Sequence, residues 1–392
     1  MKIKNLFLLA ALGLMASATL TSCDDILGEW SRPAPAVVTP SAIAVTSITL
    51  DAEATINVGE TKTLTATVAP DNATDKTVSW RSENTAVATV ADGVVTAVAA
   101  GTAIITATAN DGSGVKAQCT VTVKIPGLLA GKFSISDTKK VQFSQGNLQF
   151  QASTKTWRFA EHQYDYVGDD TKGNVLVEST KSNNALISET YTGWIDLFGW
   201  GTSGHKFDSG YGTAYQPWST STTNMDYGPT GTSNGLYGTF AEGDWGTNMV
   251  PAGWRTLKSD EWTYLFNGRT SVTTRYCKAT VNGVSGVVLF PDSYTHPDGV
   301  TAPTSTNTTG AAFTTNTWSS DDWTKMETAG CVFLPAAGYR GGTTVNSVGS
   351  RGRYWSSTVN DANNAYVVDF VSGALSSNRY HGFSVRQVRP AE

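Results

Sequence analysis

Apolar and polar positions change rhythm several times along the chain. Leu6 to Leu14 form a short apolar run behind Lys2 and Lys4, too short to span a bilayer. Residues 23–44 then place Pro33, Pro35 and Pro40 among Ala, Val, Ser and Thr, which predicts an extended tether. From 45 to 125 the apolar residues alternate in short pieces: Ile48 and Leu50; Leu64, Ala66 and Val68; Val78 and Trp80; Ile104, Thr106 and Thr108. Gly59-Glu60, Pro70-Asp71-Asn72, Asp92-Gly93 and Asn110-Asp111-Gly112 punctuate these pieces with residue types that turns require. Short strands with such frequent turns predict an all-β sandwich. Beyond the hinge Ile125-Pro126-Gly127, residues 128–392 open on a strand pair, Val141 and Phe143, then Leu148 and Phe150, broken by Gly146-Asn147. They close on Phe383, Val385 and Val388. One helix is predicted between. Ser259 is its N-cap, Asp260 and Glu261 favour its first turn, Trp262, Leu265 and Phe266 form its stripe, and Gly268 ends it.

The sandwich segment carries a specific likeness. Val78-Ser79-Trp80, Glu83 to Val90, Gly93-Val94-Val95-Thr96-Ala97 and Gly101 to Ala107 resemble the group 2 bacterial immunoglobulin-like (BIG2) domain, and Trp80 is read as core. In that family the module is often a spacer or adhesion stalk.

Residues 128–392 resemble surface proteins of Bacteroidetes and Fibrobacter, including the Fibrobacter succinogenes major paralogous domain, which are related to the C-type-lectin-like fold. The matching stretches are Gly193 to Gly204, Gly253-Trp254-Arg255-Thr256-Leu257, Glu261-Trp262, Leu334 to Arg340, Tyr354-Trp355-Ser356-Ser357 and Ser384-Val385-Arg386. The likeness implies an α+β fold with first and last strands paired, helices on one side, and long loops presenting a face. The expected fold class is thus multidomain: an all-β immunoglobulin-like sandwich followed by an α+β C-type-lectin-like domain.

Variable proteins of diversity-generating retroelements share that architecture and carry a hypermutated C-terminal segment. In the stretch 365–373 a period of two sets Tyr366, Val368 and Phe370 against Val367, Asp369 and Val371, with a polar loop after Ser376. A diversified segment and a plain β-hairpin both fit. The candidate ligand-binding residues are Arg351, Arg353, Tyr354, Val367, Asp369, Val371, Ser376, Asn378, Arg379, Tyr380 and His381, because Arg and Tyr side by side mark recognition surfaces.

Lys2 and Lys4, the apolar run and Leu20-Thr21-Ser22-Cys23 follow the order of a lipoprotein signal peptide spanning 1–22, with lipid expected on Cys23 as the membrane anchor. A signal peptide cut elsewhere is the alternative. Asp24-Asp25 resemble the surface-export signal of Bacteroidetes lipoproteins, so an outer-membrane, cell-surface location is expected. Losing the two leader lysines moves the formal charge from −5 to −7, which gives no electrostatic footprint for nucleic acid. Cys277 and Cys331 are either a disulfide or two buried thiols.

No catalytic constellation stands out, and no enzymatic activity is expected. His162, His205, His296 and His381 lack metal-ligand spacing, and no cofactor is implied. Asp321-Asp322 before Trp323 reads as a solvated turn or helix start. The calcium motifs of true C-type lectins are missing: Gln216-Pro217-Trp218 lacks the final oxygen ligand, and Val359 stands where tryptophan would precede Asn360-Asp361. The expected partners are a membrane, through the N-terminal lipid, and an extracellular protein or glycan.

Overall fold

A computed structural model describes residues 41–151, 153–167, 192–201, 235–237, 241, 243–341 and 344–391. Residues 1–40, with Cys23, the leader and most of the tether, lie outside the described residues, as do His205 and Gln216-Pro217-Trp218.

The first unit holds nine strands: β1 Ser47–Thr49, β2 Glu53–Asn57, β3 Thr61–Thr63, β4 Thr67–Ala69, β5 Val78–Ser82, β6 Ala88–Ala91, β7 Val94–Ala97, β8 Gly101–Ala109 and β9 Lys116–Lys124. One sheet runs β2-β9-β8-β5, with β2 parallel to β9 and the other pairs antiparallel. The second runs β3-β7-β6, and β1 pairs with β4. Ala54, Ile56, Leu64, Val95, Ile105, Cys119 and Val121 fill the space enclosed by these strands, with Trp80 packed on its margin as core. Along β8 the inward face is Ala103, Ile105 and Ala107. The alternation Ile104, Thr106 and Thr108 is therefore the half-exposed outer face. Asp92 (φ 49°) and Gly93 (φ 81°) form the two-residue mirror-type turn that joins β6 to β7. A Cβ on Gly93 would sit 2.8 Å from the Leu64 carbonyl oxygen, so the turn requires glycine twice over.

The second unit contributes β10 Phe133–Ser134, β11 Lys140–Phe143, β12 Leu148–Gln151, β13 Thr156–Phe159, β14 Trp194–Ile195, β15 Arg255–Thr256 and helix α1 Ser259–Thr263. There follow β16 Tyr276–Val281, β17 Val284–Leu289, β18 Thr317–Trp318, helix α2 Ser320–Thr328 and β19 Val332–Pro335. The last elements are β20 Tyr339–Gly341, β21 Thr344–Asn346, β22 Arg353–Val359, β23 Asn364–Asp369, β24 Gly373–Asn378 and β25 Gln387–Pro390. The unit is mostly β, with two short helices among the described residues. β11 pairs antiparallel with β25, Phe143 opposite Val388, so an opening strand meets the closing one.

Two sheets divide three cores. In the sheet β18-β16-β17-β19, Cys277, Ala279, Val288 and Phe333 face Trp323 and Met326 of α2. The opposite face, with Tyr276, Val287, Leu289 and Val332, meets Trp262 and Leu265. Tyr354, Val368 and Phe370 of the β22-β23-β24 region close that second core. From the far side of the same sheet, Trp355, Ala365 and Val367 enter a third core with Phe198, Trp200, Trp245 and Phe383.

The predicted helix starts one residue off. Ser259 is already helical, and Lys258 caps it, its backbone N–H donating to Glu261 Oε2 at 2.8 Å. After Thr263 the coil widens into a π turn, Tyr264–Gly268. A second helix, α2, is N-capped by Ser319, whose hydroxyl accepts from the Asp322 N–H at 3.1 Å; Asp321 and Asp322 occupy its first turn. No helix of the described residues is long and apolar enough to cross a membrane.

A polar chain threads the interior. Asn147 Nδ2 donates to Tyr354 Oη at 3.1 Å, and Tyr354 donates to the Pro335 carbonyl at 3.0 Å. Arg386, fully buried, donates to Gln163 Oε1 at 2.7 Å and to Asn147 Oδ1 at 3.4 Å. Gln163 accepts in addition from the Phe333 N–H at 2.7 Å and donates to the Cys331 carbonyl and to Glu327. Burial pushes Arg386 down to about 10, so it stays charged at neutral pH.

The disulfide alternative falls on sheet geometry. Cys277 lies opposite Val288 on β17, and Val288 lies opposite Phe333 on β19, so one strand separates the two cysteines. Two strand spacings put their Cα atoms roughly 10 Å apart, beyond the ~7 Å that a disulfide spans. Cys119, Cys277 and Cys331 are free and buried. Thiol titration of the chain from residue 24 onward should detect none of these thiols in the native state and all three after denaturation without reductant. Detection of only Cys119 would reinstate the disulfide. Arg386→Ala strands the oxygens of Gln163 and Asn147 in the interior. Urea unfolding should register a loss on the order of 3 kcal/mol.

Candidate ligand-binding site

The residues singled out between 351 and 381 lie on and around the β22-β23-β24 sheet. Their environments divide them sharply. Period two along β23 holds, but both of its faces are covered: Val368 and Phe370 belong to the second core and Val367 to the third. A strand covered on both sides reads as a nearly unbroken apolar run, and Tyr366-Val367-Val368-Asp369-Phe370-Val371 is such a run. Val367 and Tyr354 are therefore corrected from contact residues to core. Burial raises the Tyr354 hydroxyl well above the usual phenol range, and its hydrogen bonds are spent inside.

Arg351, Arg353 and Asp369 do come together, as a latch. Asp369 Oδ2 accepts from Arg353 Nε at 2.9 Å and from Arg351 Nη1 at 3.1 Å. Its Oδ1 accepts from the Val371 N–H at 2.8 Å and the Ser372 N–H at 3.3 Å, which closes the turn into β24. The Asp369 side chain is fully buried, Arg353 is mostly so, and Arg351 remains about a third exposed at 37%. Burial pushes the Asp369 carboxyl up, yet the Val371 N–H, the Arg353 hydrogen bond and its charge together hold it below the usual carboxylate range. Asp369 is thereby reassigned from ligand contact to the centre of the latch. Arg353 also stands over the Tyr339 ring at 4.5 Å.

Arg379 and Tyr380 are buried as well. The Arg379 guanidinium stacks over Trp200 at 4.7 Å, and Nη2 donates to the Asp361 carbonyl at 2.7 Å. Tyr380 Oη accepts from Asn378 Nδ2 at 2.9 Å. Both close the loop behind β24 instead of facing solvent. His381 is half-buried, its Nδ1 2.9 Å from Ser377 Oγ and its ring edge-on to Tyr339 and Tyr380. Burial, then the charge of Arg353, push it down to about 4, so it is neutral at pH 7. What stays exposed is Val371 (43%), Ser372, Ala374 and Ser376, with Asn378 half-buried; β24 is the outer strand of its sheet.

Two features escaped sequence reasoning although signals existed. Asn282-Gly283, with φ of 47° and 79°, joins β16 to β17, and an Asn-Gly between apolar runs is a strong hairpin signal. Lys278, the one charged residue of β16, is 6% exposed and has no carboxylate at ion-pair distance among the described residues. No cluster of three metal-ligating side chains exists among the described residues.

The first unit is thus an immunoglobulin-like sandwich, and the second a mostly β head with a latched hairpin. Residues 44–121 match the Bacterial Ig-like domain (group 2) family. An uncharacterized protein of Clostridium acetobutylicum is 34% identical over 142 residues, 34% of this chain and 14% of that protein. The Ig-like virion protein of Serratia phage KSP90 is 43% identical over 123 residues, 30% of this chain and 46% of its own length. An alpha-L-arabinofuranosidase of Bifidobacterium longum is 47% identical over 87 residues, 22% of this chain and 8% of the enzyme. The chain spans less than half the length of each of these relatives. The S-layer protein SbsC, domains 4 and 5, aligns at 21% identity over 20% of this chain and 52% of that one, with a TM-score of 0.18.

The latch sets a pH dependence. A carboxyl held below its unfolded pKa stabilises the fold above that unfolded value, about 4, and its contribution is lost as pH falls through the folded one. His381 has the same sign: stability is complete above about 6.5 and declines towards 4. Asp369→Asn should cost on the order of 3 kcal/mol at pH 7 in urea unfolding. It should also flatten the loss of stability below pH 4. A variant as stable as the parent at pH 7 would remove the latch from the account.

Proposed function

We propose that the chain is a surface-exposed outer-membrane lipoprotein, anchored through Cys23, whose C-terminal head binds an extracellular protein or glycan. The immunoglobulin-like domain serves as the spacer between membrane and head. The observation that carries this reading is the β23–β24 hairpin. Its inner strand is covered on both faces and latched by Arg351, Arg353 and Asp369, while its outer strand exposes Ala374 and Ser376. A binding surface on a rigid element loses little conformational entropy when it engages a partner. The pairing of β11 with β25 supports kinship with the C-type-lectin-like fold, and the lipobox sequence supports the anchor. No catalytic role is proposed.

A second reading is a structural part of a surface assembly or adhesive fibre, favoured by the edge of β24, which pairs with no further strand among the described residues, since an unpaired edge is a template for a strand of another chain. Co-purification of one partner at fixed stoichiometry would select it over free-ligand binding.

The test uses the full chain from residue 24 onward on a glycan array and in pull-downs from surface extracts. Val371→Asp combined with Ser376→Arg alters exposed positions only. The pair should weaken capture at least tenfold while thermal unfolding stays unchanged. Undiminished capture by the folded double variant would move the recognition surface elsewhere.

A further inference from the structure

One cavity of about 110 Å³ lies between the helical segment 259–268, the β16–β17 hairpin and the turn from β23 to β24. Its floor is apolar: Trp262, Tyr276, Val287, Val368 and Phe370 are buried, and Phe266 is half-buried. Its rim is exposed, formed by Thr263, Asn267, Thr309 and Ala374. Lys278 lines the same cavity. Its stem is buried, and its Nζ reaches the rim, where it donates to the Thr309 carbonyl at 2.5 Å and stands 5.1 Å from the Phe313 ring centre.

Charge selects the occupant. The Lys278 ammonium has no ion-pair partner among the described residues. Asp369 also lines the cavity, but Arg351 and Arg353 both bond its Oδ2 and more than balance its charge. With the Asp369 oxygens held by the latch, Lys278 is the charge left to a ligand at the rim above an aromatic floor, which favours an anion with an apolar body. Size narrows it further. A closed cavity of about 150 Å³ holds a benzene ring, so a slightly smaller one open at its rim takes one ring or a short branched chain, with the polar end left at the opening.

We propose that this cavity binds a small monocarboxylate, its ring or branched alkyl group on the Trp262, Phe266 and Phe370 floor and its carboxylate on Lys278. The cavity meets the hairpin's outer strand at Gly373 and Ala374, but Val371 and Ser376 do not line it, so the Val371→Asp, Ser376→Arg pair leaves it intact and the two proposals fail separately.

Isothermal titration of the chain from residue 24 onward with benzoate, and separately with the isosteric neutral benzamide, tests it. Benzoate should bind saturably and at least tenfold more tightly than benzamide. Lys278→Met keeps the buried stem and should erase that preference while leaving weak benzamide binding. Ala374→Trp, at an exposed rim position, should block both ligands, with the fold verified by circular dichroism. Absence of saturable benzoate binding, equal binding of the two probes, a preference that survives Lys278→Met, or binding untouched by Ala374→Trp would each overturn the assignment.

Discussion

The head of this protein is organised around a positive charge buried in its interior. A guanidinium buried among apolar side chains is tolerable only where its N–H groups find oxygens. Arg386 finds them on Gln163, Asn147 and Gln145, three residues brought in from the opening segment of the head. Gln163 in turn holds the backbone of β19, and Asn147 holds the Tyr354 hydroxyl on β22. The start, middle and end of a chain segment of some 260 residues are thereby committed to one arrangement. Apolar packing alone tolerates small slips, whereas a polar network with one member displaced leaves several groups unsatisfied at once. The layering of three cores across two sheets follows from that fixed frame.

Sequence pattern and structure agree best where a local rule has no competitor. Asp92-Gly93 turns as its residue types require, and the Asp321-Asp322 pair opens a helix because acids belong in a first turn. Trp80 packs as core in the sandwich. Agreement fails where tertiary context decides. Period two in β23 was legible, but whether its second face meets water or another layer depends on Phe198, Trp200 and Trp245, which arrive from distant segments. Arg379 and Asp369 looked like surface charges because isolated sequence cannot show a tryptophan face or a pair of arginines waiting for them. Ile104, Thr106 and Thr108 alternate as well as their neighbours do. Only the opposing sheet reveals that Ala103, Ile105 and Ala107 form the inner face.

The candidate site illustrates a division of labour common to recognition surfaces. Residues of the right chemical type, Arg, Tyr and His, are mostly engaged in holding the hairpin rigid. The small side chains Ser372, Ala374 and Ser376 are the ones left facing outward. Rigidity and contact therefore reside in adjacent positions of one short segment, and a residue's type does not announce which task it has.

That arrangement has a consequence for how the segment can change over generations. On β23 and just past it, Ala365 and Val367 plug the third core, Val368 and Phe370 plug the second, and Asp369 anchors the turn, so a new side chain at any of these positions disturbs the interior. Two residues further on, the hairpin tip and the outer face of β24 are exposed. Heritable novelty can accumulate there without eroding the fold. Within this hairpin, change without cost to the interior is open to a strip of four or so outward positions framed by buried neighbours: a small alphabet written on a fixed page.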